Sequence, residues 1–221
     1  MSENAHVPDL SVPPLRGRHV VLEPMVAEHV AEIEAAGAGD RSTFGFTQVP
    51  DGADDAERYV RWLLADAERG LVAPFVQRRT SDGVVVGCTR FMSPLWPLDR
   101  DDPDEIEVGG TWLSSSAQRT AINGEAKLLL LTHAFEQWQV QRVAICTDAR
   151  NDQSRRAIER IGATFEGVLR RHRRSTRAGE DGMLRDTATY SVIADEWPAV
   201  RAHLRDLLAR DDRTGPSVDG G

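Results

Sequence analysis

At 221 residues with 40% apolar side chains, the chain has the length of one domain and enough apolar mass for a core, which sets aside disordered and fibrous classes. A formal net charge of −8 argues against a general nucleic-acid binder. No run approaches 18 apolar residues and residues 1–15 lack a basic-then-apolar leader, so a soluble cytoplasmic protein without membrane contact is expected.

Residues 1–14 hold three prolines and little periodicity and read as a flexible arm; the Gly- and Asp-rich residues 211–221 read as a tail, leaving 15–210 as a single domain. His19–Glu23 reads as a first strand stopped by Pro24. Val26, Val30 and Ile33 at helical spacing predict a helix over 25–36, ended by Gly37. Asp54 or Asp55 is placed to cap a second helix running to Glu68, with Tyr59, Trp62 and Leu63 inward and Gly70 beyond its end. Ala73–Thr80 and Val84–Met92 flank Ser81-Asp82-Gly83, whose Asp-Gly pair suits a type I′ hairpin. Ser93–Asp104, with three prolines and four aspartates, reads as a loop over a binding face.

Glu105–Leu113 alternates Ile106 and Val108 with acids and then carries Gly109-Gly110, as a bulged strand would. A helix over about 122–139 follows, with Leu128, Leu131, Phe135 and Trp138 on one face and Glu125, Thr132, Glu136 and Gln139 on another. Gln141–Thr147 reads as the next strand, and strand, crossover helix and strand predict a parallel pair. Asn151 opens a helix bearing Ala157, Ile158 and Ile161 and ended by Gly162. Strands over Thr164–Arg171 and Met183–Ile193 and a helix over Asp195–Arg210 complete an α/β chain with a mixed sheet. Cys88 and Cys146, both in strand-like runs, read as reduced core residues.

The stretch Gln118-Arg-Thr-Ala-Ile-Asn-Gly-Glu125 joins a strand to the longest apolar helix, so backbone N–H groups and the positive end of a helix dipole converge there. Such a point binds anions, phosphates above all. The same junction occurs in α/β proteins of every kind, and this one lacks a Gly-rich dinucleotide or Walker loop.

Four segments in order, Ile106-Glu-Val-Gly-Gly-Thr-Trp112, Gln118 to Lys127, Asn151-Asp-Gln-Ser154 and Ile161-Gly-Ala-Thr-Phe-Glu-Gly167, resemble the GNAT acyl-CoA-dependent N-acyltransferases. Within them the likeness is to the branch that includes the acetyltransferases of ribosomal-protein N-termini, and it covers about residues 15–200. The resemblance implies a GNAT-like fold, a central mixed sheet splayed between the family's fourth and fifth strands, here Glu105–Leu113 and Arg142–Thr147. Acyl-CoA, most simply acetyl-CoA, would lie in that notch, with its pyrophosphate on the amides of Arg119, Thr120, Ala121, Ile122, Asn123 and Gly124. Gln118 fits the family's loop pattern, whereas Ala121 stands where Gly is usual and Asn123 where Gly or Ala is usual. Backbone donors survive both changes, since only proline lacks an N–H.

Attack of an amine on a thioester needs a proton acceptor, an oriented carbonyl and a proton for the departing thiolate. Glu107 is the candidate general base; its plainer reading is one acid among several in a solvent-facing run. Ser154 is the candidate proton donor, since Ile158 stands where many members carry a Tyr; its plainer reading is a residue of a helix start capped by Asn151. The resemblance also gives Asn151 a contact to the pantetheine arm. Gly109 and Gly110 would turn strand amides toward the thioester or simply pack closely, and Trp112 would be a substrate wall or core. Leu169–Arg174 and Arg177 form a basic cluster that reads as a solvated hairpin or an anion patch. His133 and His172 have no spaced partners, so no metal is assigned. The expected partner is an amine acceptor, a small molecule or a peptide N-terminus, and self-association into a homodimer through the closing hairpin is open. A non-catalytic acyl-CoA-binding module and transfer of another acyl group such as succinyl are the competing readings.

Overall fold

The structure is a computed structural model and describes residues 9–98 and 100–214. Eight strands form one sheet in the order β1-β2-β3-β4-β5-β6-β8-β7. They are β1 (Leu15–Arg16), β2 (Val20–Pro24), β3 (Val72–Arg79), β4 (Val85–Leu95), β5 (Glu105–Leu113), β6 (Arg142–Asp148), β7 (Thr164–Arg174) and β8 (Leu184–Ile193). The helices are α1 (Val30–Gly37), α2 (Ala53–Glu68), α3 (Ala121–Glu136), α4 (Asp152–Arg160) and α5 (Trp197–Thr214). This is the mixed α/β architecture expected, with β5 and β6 its parallel pair and the other neighbours antiparallel.

Alternation along the central strands sends side chains into two layers. Phe75, Phe91 and Ile106 pack toward α3 and α5, against Leu130, Leu131 and Leu204. Val76, Cys88 and Trp112 pack the other way, against Ile33 of α1 and Tyr59 and Leu63 of α2. β3 is buried along Val72–Gln77, as a strand covered on both faces must be. The expected helix face Leu131, Phe135 and Trp138 is buried, and Leu128 packs at its margin.

Several local expectations change. Helix α2 is capped by the backbone of Gly52, at φ +83°, because Asp55 instead accepts from the Asp51 N–H and pairs with Arg58. Trp62 is 42% exposed, its ring lying beside Tyr59 rather than beneath it. The β3–β4 connection spans four residues closed by Arg79 and Val84, and only Gly83 has positive φ, so it is not a type I′ turn, which needs two such residues. Strand β4 continues through Ser93 and Pro94 to Leu95, where the chain was expected to be loop; Ser93 at φ +53° absorbs a register shift there. Leu10 and Val12 are buried in the main core, so packing begins ahead of residue 15, and α5 runs beyond 210 to Thr214. The rest of the expected arm and tail, residues 1–8 and 215–221, lies outside the described residues.

Glu125 also departs from its expected polar face. It is buried, and its carboxylate accepts from the backbone N–H groups of Arg18, His19 and Val20 at 2.8, 2.6 and 2.9 Å. A β-carbon at Gly17 would lie 2.4 Å from that carboxylate, so glycine is needed for the approach. The contact anchors α3 to the N-terminal edge of the sheet and thereby fixes where its N-terminus points.

Candidate active site

The parallel pairing of β5 with β6 covers only Glu105, Ile106 and Glu107 against Arg142, Val143 and Ala144. Both strands then run on, to Leu113 and Asp148, without pairing to each other. What parts them is the Gly109–Gly110 irregularity, where β5 slips register against β4 and Gly110 takes φ +58°. A β-carbon at Gly110 would also meet the Arg90 guanidinium carbon at 2.5 Å, but that is the end of a flexible side chain, so the positive φ is what restricts the position. A cavity of about 950 Å³ opens at this split, lined by Glu107, Gly109, Gly110, Trp112, Gln118, Arg119, Thr120, Asn123, Gly124, Asn151 and Ser154. The cavity thus gathers most of the sequence-predicted site.

At its α3 end the loop is built by two side chains. Gln118 donates to Leu113 O at 2.9 Å and to Thr43 Oγ1 at 2.8 Å, tying the loop to the end of β5. Thr120 is the N-cap, accepting from Ile122 N at 3.3 Å. Positive φ falls on Arg119, at +60°, and neither Ala121 nor Asn123 needs it, so the usual glycines can be absent without backbone strain. The exposed donors of this turn come from the loop and the cavity-facing Asn123 and Gly124. Ala121 and Ile122 do not line the cavity, and the Ile122 side chain is buried in the main core. A helix N-terminus with few of its N–H groups spent, opening on a large cleft, fits a pyrophosphate.

At the far end, Asn151 caps α4, accepting from Ser154 N at 3.0 Å, and leaves the Ser154 side chain beside the cavity. Ile158 is buried, so no hydroxyl competes with Ser154 from that turn. Glu107 is 4% exposed, and Arg173 donates to both of its oxygens, at 2.8 and 2.6 Å. This corrects two expectations at once. Glu107 is not a solvent-facing acid, and the basic segment 169–174 is not simply a solvated hairpin, because it continues β7 and sends Arg173 inward. Trp112 lies mainly in the α1–α2 core, where its Nε1 donates to Tyr59 Oη at 3.3 Å and its ring meets Phe44 edge-on.

Two further groups went unpredicted. Lys127, inside the apolar part of α3, is 6% exposed and donates to Thr111 Oγ1 at 2.7 Å, with Thr89 Oγ1 a further 2.8 Å on. Burial without a carboxylate pulls its ammonium down to about 7. A lysine between Ala126 and Leu128 was the available signal, since the helical pattern puts it on the inner side. Cys146 is only half-buried and faces the cavity rather than the core, with burial pushing its thiol up to about 11. Both cysteines are free. Among the described residues no three His, Cys, Asp or Glu side chains are grouped to hold a metal, and no helix is long and apolar enough to cross a membrane.

A mixed sheet split along its parallel pair, with a helix N-terminus at one end of the cleft and polar side chains at the crotch, is the arrangement expected of an acyl-CoA-dependent N-acyltransferase. The model of the acetyltransferase (GNAT) domain matches residues 19–164, and the chain belongs to that family. It is an N-acetyltransferase. It is 27% identical over 190 residues, 80% of this chain and 91% of the relative, to a Bacillus subtilis protein described as "Putative ribosomal N-acetyltransferase YdaF". A GCN5-related N-acetyltransferase from Brucella melitensis superposes with a TM-score of 0.78 at 26% identity, covering 91% of this chain and 87% of that one. Mycobacterium smegmatis RimJ, solved in complex with CoA-disulfide, superposes with a TM-score of 0.69 at 23% identity, covering 86% and 90%.

Proposed function

We propose that the protein transfers the acetyl group of acetyl-CoA to the primary amine of a protein or peptide N-terminus. The observation that carries this reading is the end of β5–β6 pairing at Glu107, which puts a carboxylate at the crotch of a cleft whose other end is a helix N-terminus. The cleft would hold acetyl-CoA along the split, with pyrophosphate on the Arg119–Gly124 turn and Asn151 along the pantetheine arm. The Bacillus relative's description supports a ribosomal-protein N-terminus as acceptor.

In the reaction the amine nitrogen bonds to the acyl carbon and the carbon–sulfur bond breaks. Glu107 takes the amine proton. Arg173 occupies one site on each carboxylate oxygen, and an ionised carboxylate offers about four, so a bridging water can still reach it. Ser154 relays a proton to the departing thiolate, giving its own and taking one from water, so that no alkoxide is left. Amides beside Gly109 and Gly110 orient the carbonyl as charge develops on its oxygen. The closing hairpin supports a homodimer, because Phe165, Val168 and Leu169 on the outer strand β7 are each more than 40% exposed. Release of free thiol from acetyl-CoA, measured against a panel of amines and peptide N-termini, tests the reading. Thiol release with peptides is expected, and binding of acetyl-CoA with no release to any amine would overturn it.

A further inference from the structure

The cavity walls are cationic in a chain whose net charge is −8. The lining carboxylates are Glu107 and Asp211, and Asp211 belongs to the α5 end, paired with Arg160 at 3.3 Å. The acceptor half therefore has Glu107 as its only carboxylate among the described lining residues, and Arg173 holds both oxygens of it.

Among the other arginines lining this half, Arg90 and Arg185 have no carboxylate partner among the described residues and each carries a buried Nε. Arg90 rises from β4 beside the bulge. Its guanidinium carbon lies 5.2 Å from the Trp62 ring centroid and against Gly110, and its Nε is buried without a hydrogen-bond partner. Arg185, on β8, also has a buried, unpartnered Nε. The two acids that face it electrostatically are already taken, Glu107 by Arg173 and Asp148 by Arg150 at 2.9 and 2.8 Å. Burial pulls the Arg185 guanidinium below its ordinary value, the sign of a charge short of a counter-ion. A half-buried guanidinium whose Nε has lost water without gaining a partner is costly to hold charged, and a bound anion offsets that cost. A guanidinium fork suits a carboxylate, whereas a second ammonium on the acceptor would be repelled.

We propose that the acceptor is an acidic N-terminus, with Asp or Glu at its first or second position, and that Arg90 and Arg185 receive this carboxylate while the amine faces Glu107. The proposal rests on the acetyl-transfer reading above and adds the acceptor's charge to it. The test uses the full chain, saturating acetyl-CoA, and peptide pairs that differ only as Asp against Asn or Glu against Gln at positions one and two. An acidic peptide is expected to be acetylated with kcat/KM at least about tenfold above its amide twin. Arg90→Gln and Arg185→Gln should each narrow that ratio. Equal rates for the twins in the parent protein overturn the proposal and leave acetyl transfer standing. Failure to acetylate any peptide overturns both. A third arm replaces acetyl-CoA with succinyl-CoA and uses the amide peptide. If the carboxylate preference appears there instead, the anion belongs to the donor and the proposal falls.

Discussion

The two halves of the cavity are built by different means. The donor half is mostly backbone: a capped helix start, the Arg119 turn and the freed edges of β5 and β6, with side chains such as Gln118 and Thr120 holding that backbone in place. The acceptor half is mostly side chains brought from distant strands, with Glu107 and Arg173 separated by 66 residues and Arg90 and Arg185 on opposite sides of the split. Backbone donors tolerate sequence change, which is why Ala121 and Asn123 can replace glycine. Charged side chains at fixed points do not.

This difference also decides what was legible in the sequence. Strand–loop–helix order, the parallel crossover and the Asn151 cap are local patterns, and each is visible in a short window. The Glu125 contact with residues 18–20 and the Glu107–Arg173 pair join segments far apart in the chain, and no periodicity encodes them. An acid on a helix and an arginine in a basic run look solvent-facing until the partner is in view. Trp62 misled for the same reason, since its spacing is that of a core residue while its ring serves as a platform for Arg90.

The strongest way to sharpen the contrast is at Glu107. Glu107→Gln should lower kcat by about two to four orders of magnitude, the range for loss of a general base, with CoA affinity retained. Turnover equal to the parent at every pH would remove Glu107 from the chemistry. Glu125→Ala should act on the fold instead, since three backbone N–H groups, one of them buried, lose their acceptor, and a loss of about 2 kcal/mol in urea unfolding is expected. An undiminished midpoint would mean that water replaces the carboxylate.

On the donor side, CoA at 100 times its Kd should stabilise the protein by about 2.7 kcal/mol, read as a thermal shift. The shift should survive Asn123→Ala, because the donor there is the main chain; its disappearance would make the half side-chain-built after all. Ser154→Ala should leave CoA affinity alone and lower kcat by about tenfold, a loss confined to the transition state. The cap is untouched, because Ser154 contributes its N–H to Asn151 rather than its hydroxyl. Parent-like turnover would reduce Ser154 to a helix-start residue.

Lys127 gives the clearest dependence on pH. It lies two residues from Glu125 on α3, yet Glu125 has three backbone donors and Lys127 a single hydroxyl. Burial lowers its ammonium from 10.5 to about 7, so between those values the unfolded chain carries a proton that the folded chain lacks. Stability contributed by this group therefore rises with pH across that window and is lowest below pH 7, where folding must bury the charge. Lys127→Met fills similar volume and cannot titrate, while Thr111 keeps its bond to Thr89. The variant's advantage over the parent should be largest at pH 6, shrink steadily as pH rises above 7, and level off by about pH 10.5. Urea unfolding of both proteins at those three pH values measures it. Parallel stability curves would show that Lys127 finds a counter-charge in solution, and would make the α3 interior as well satisfied at Lys127 as it is at Glu125.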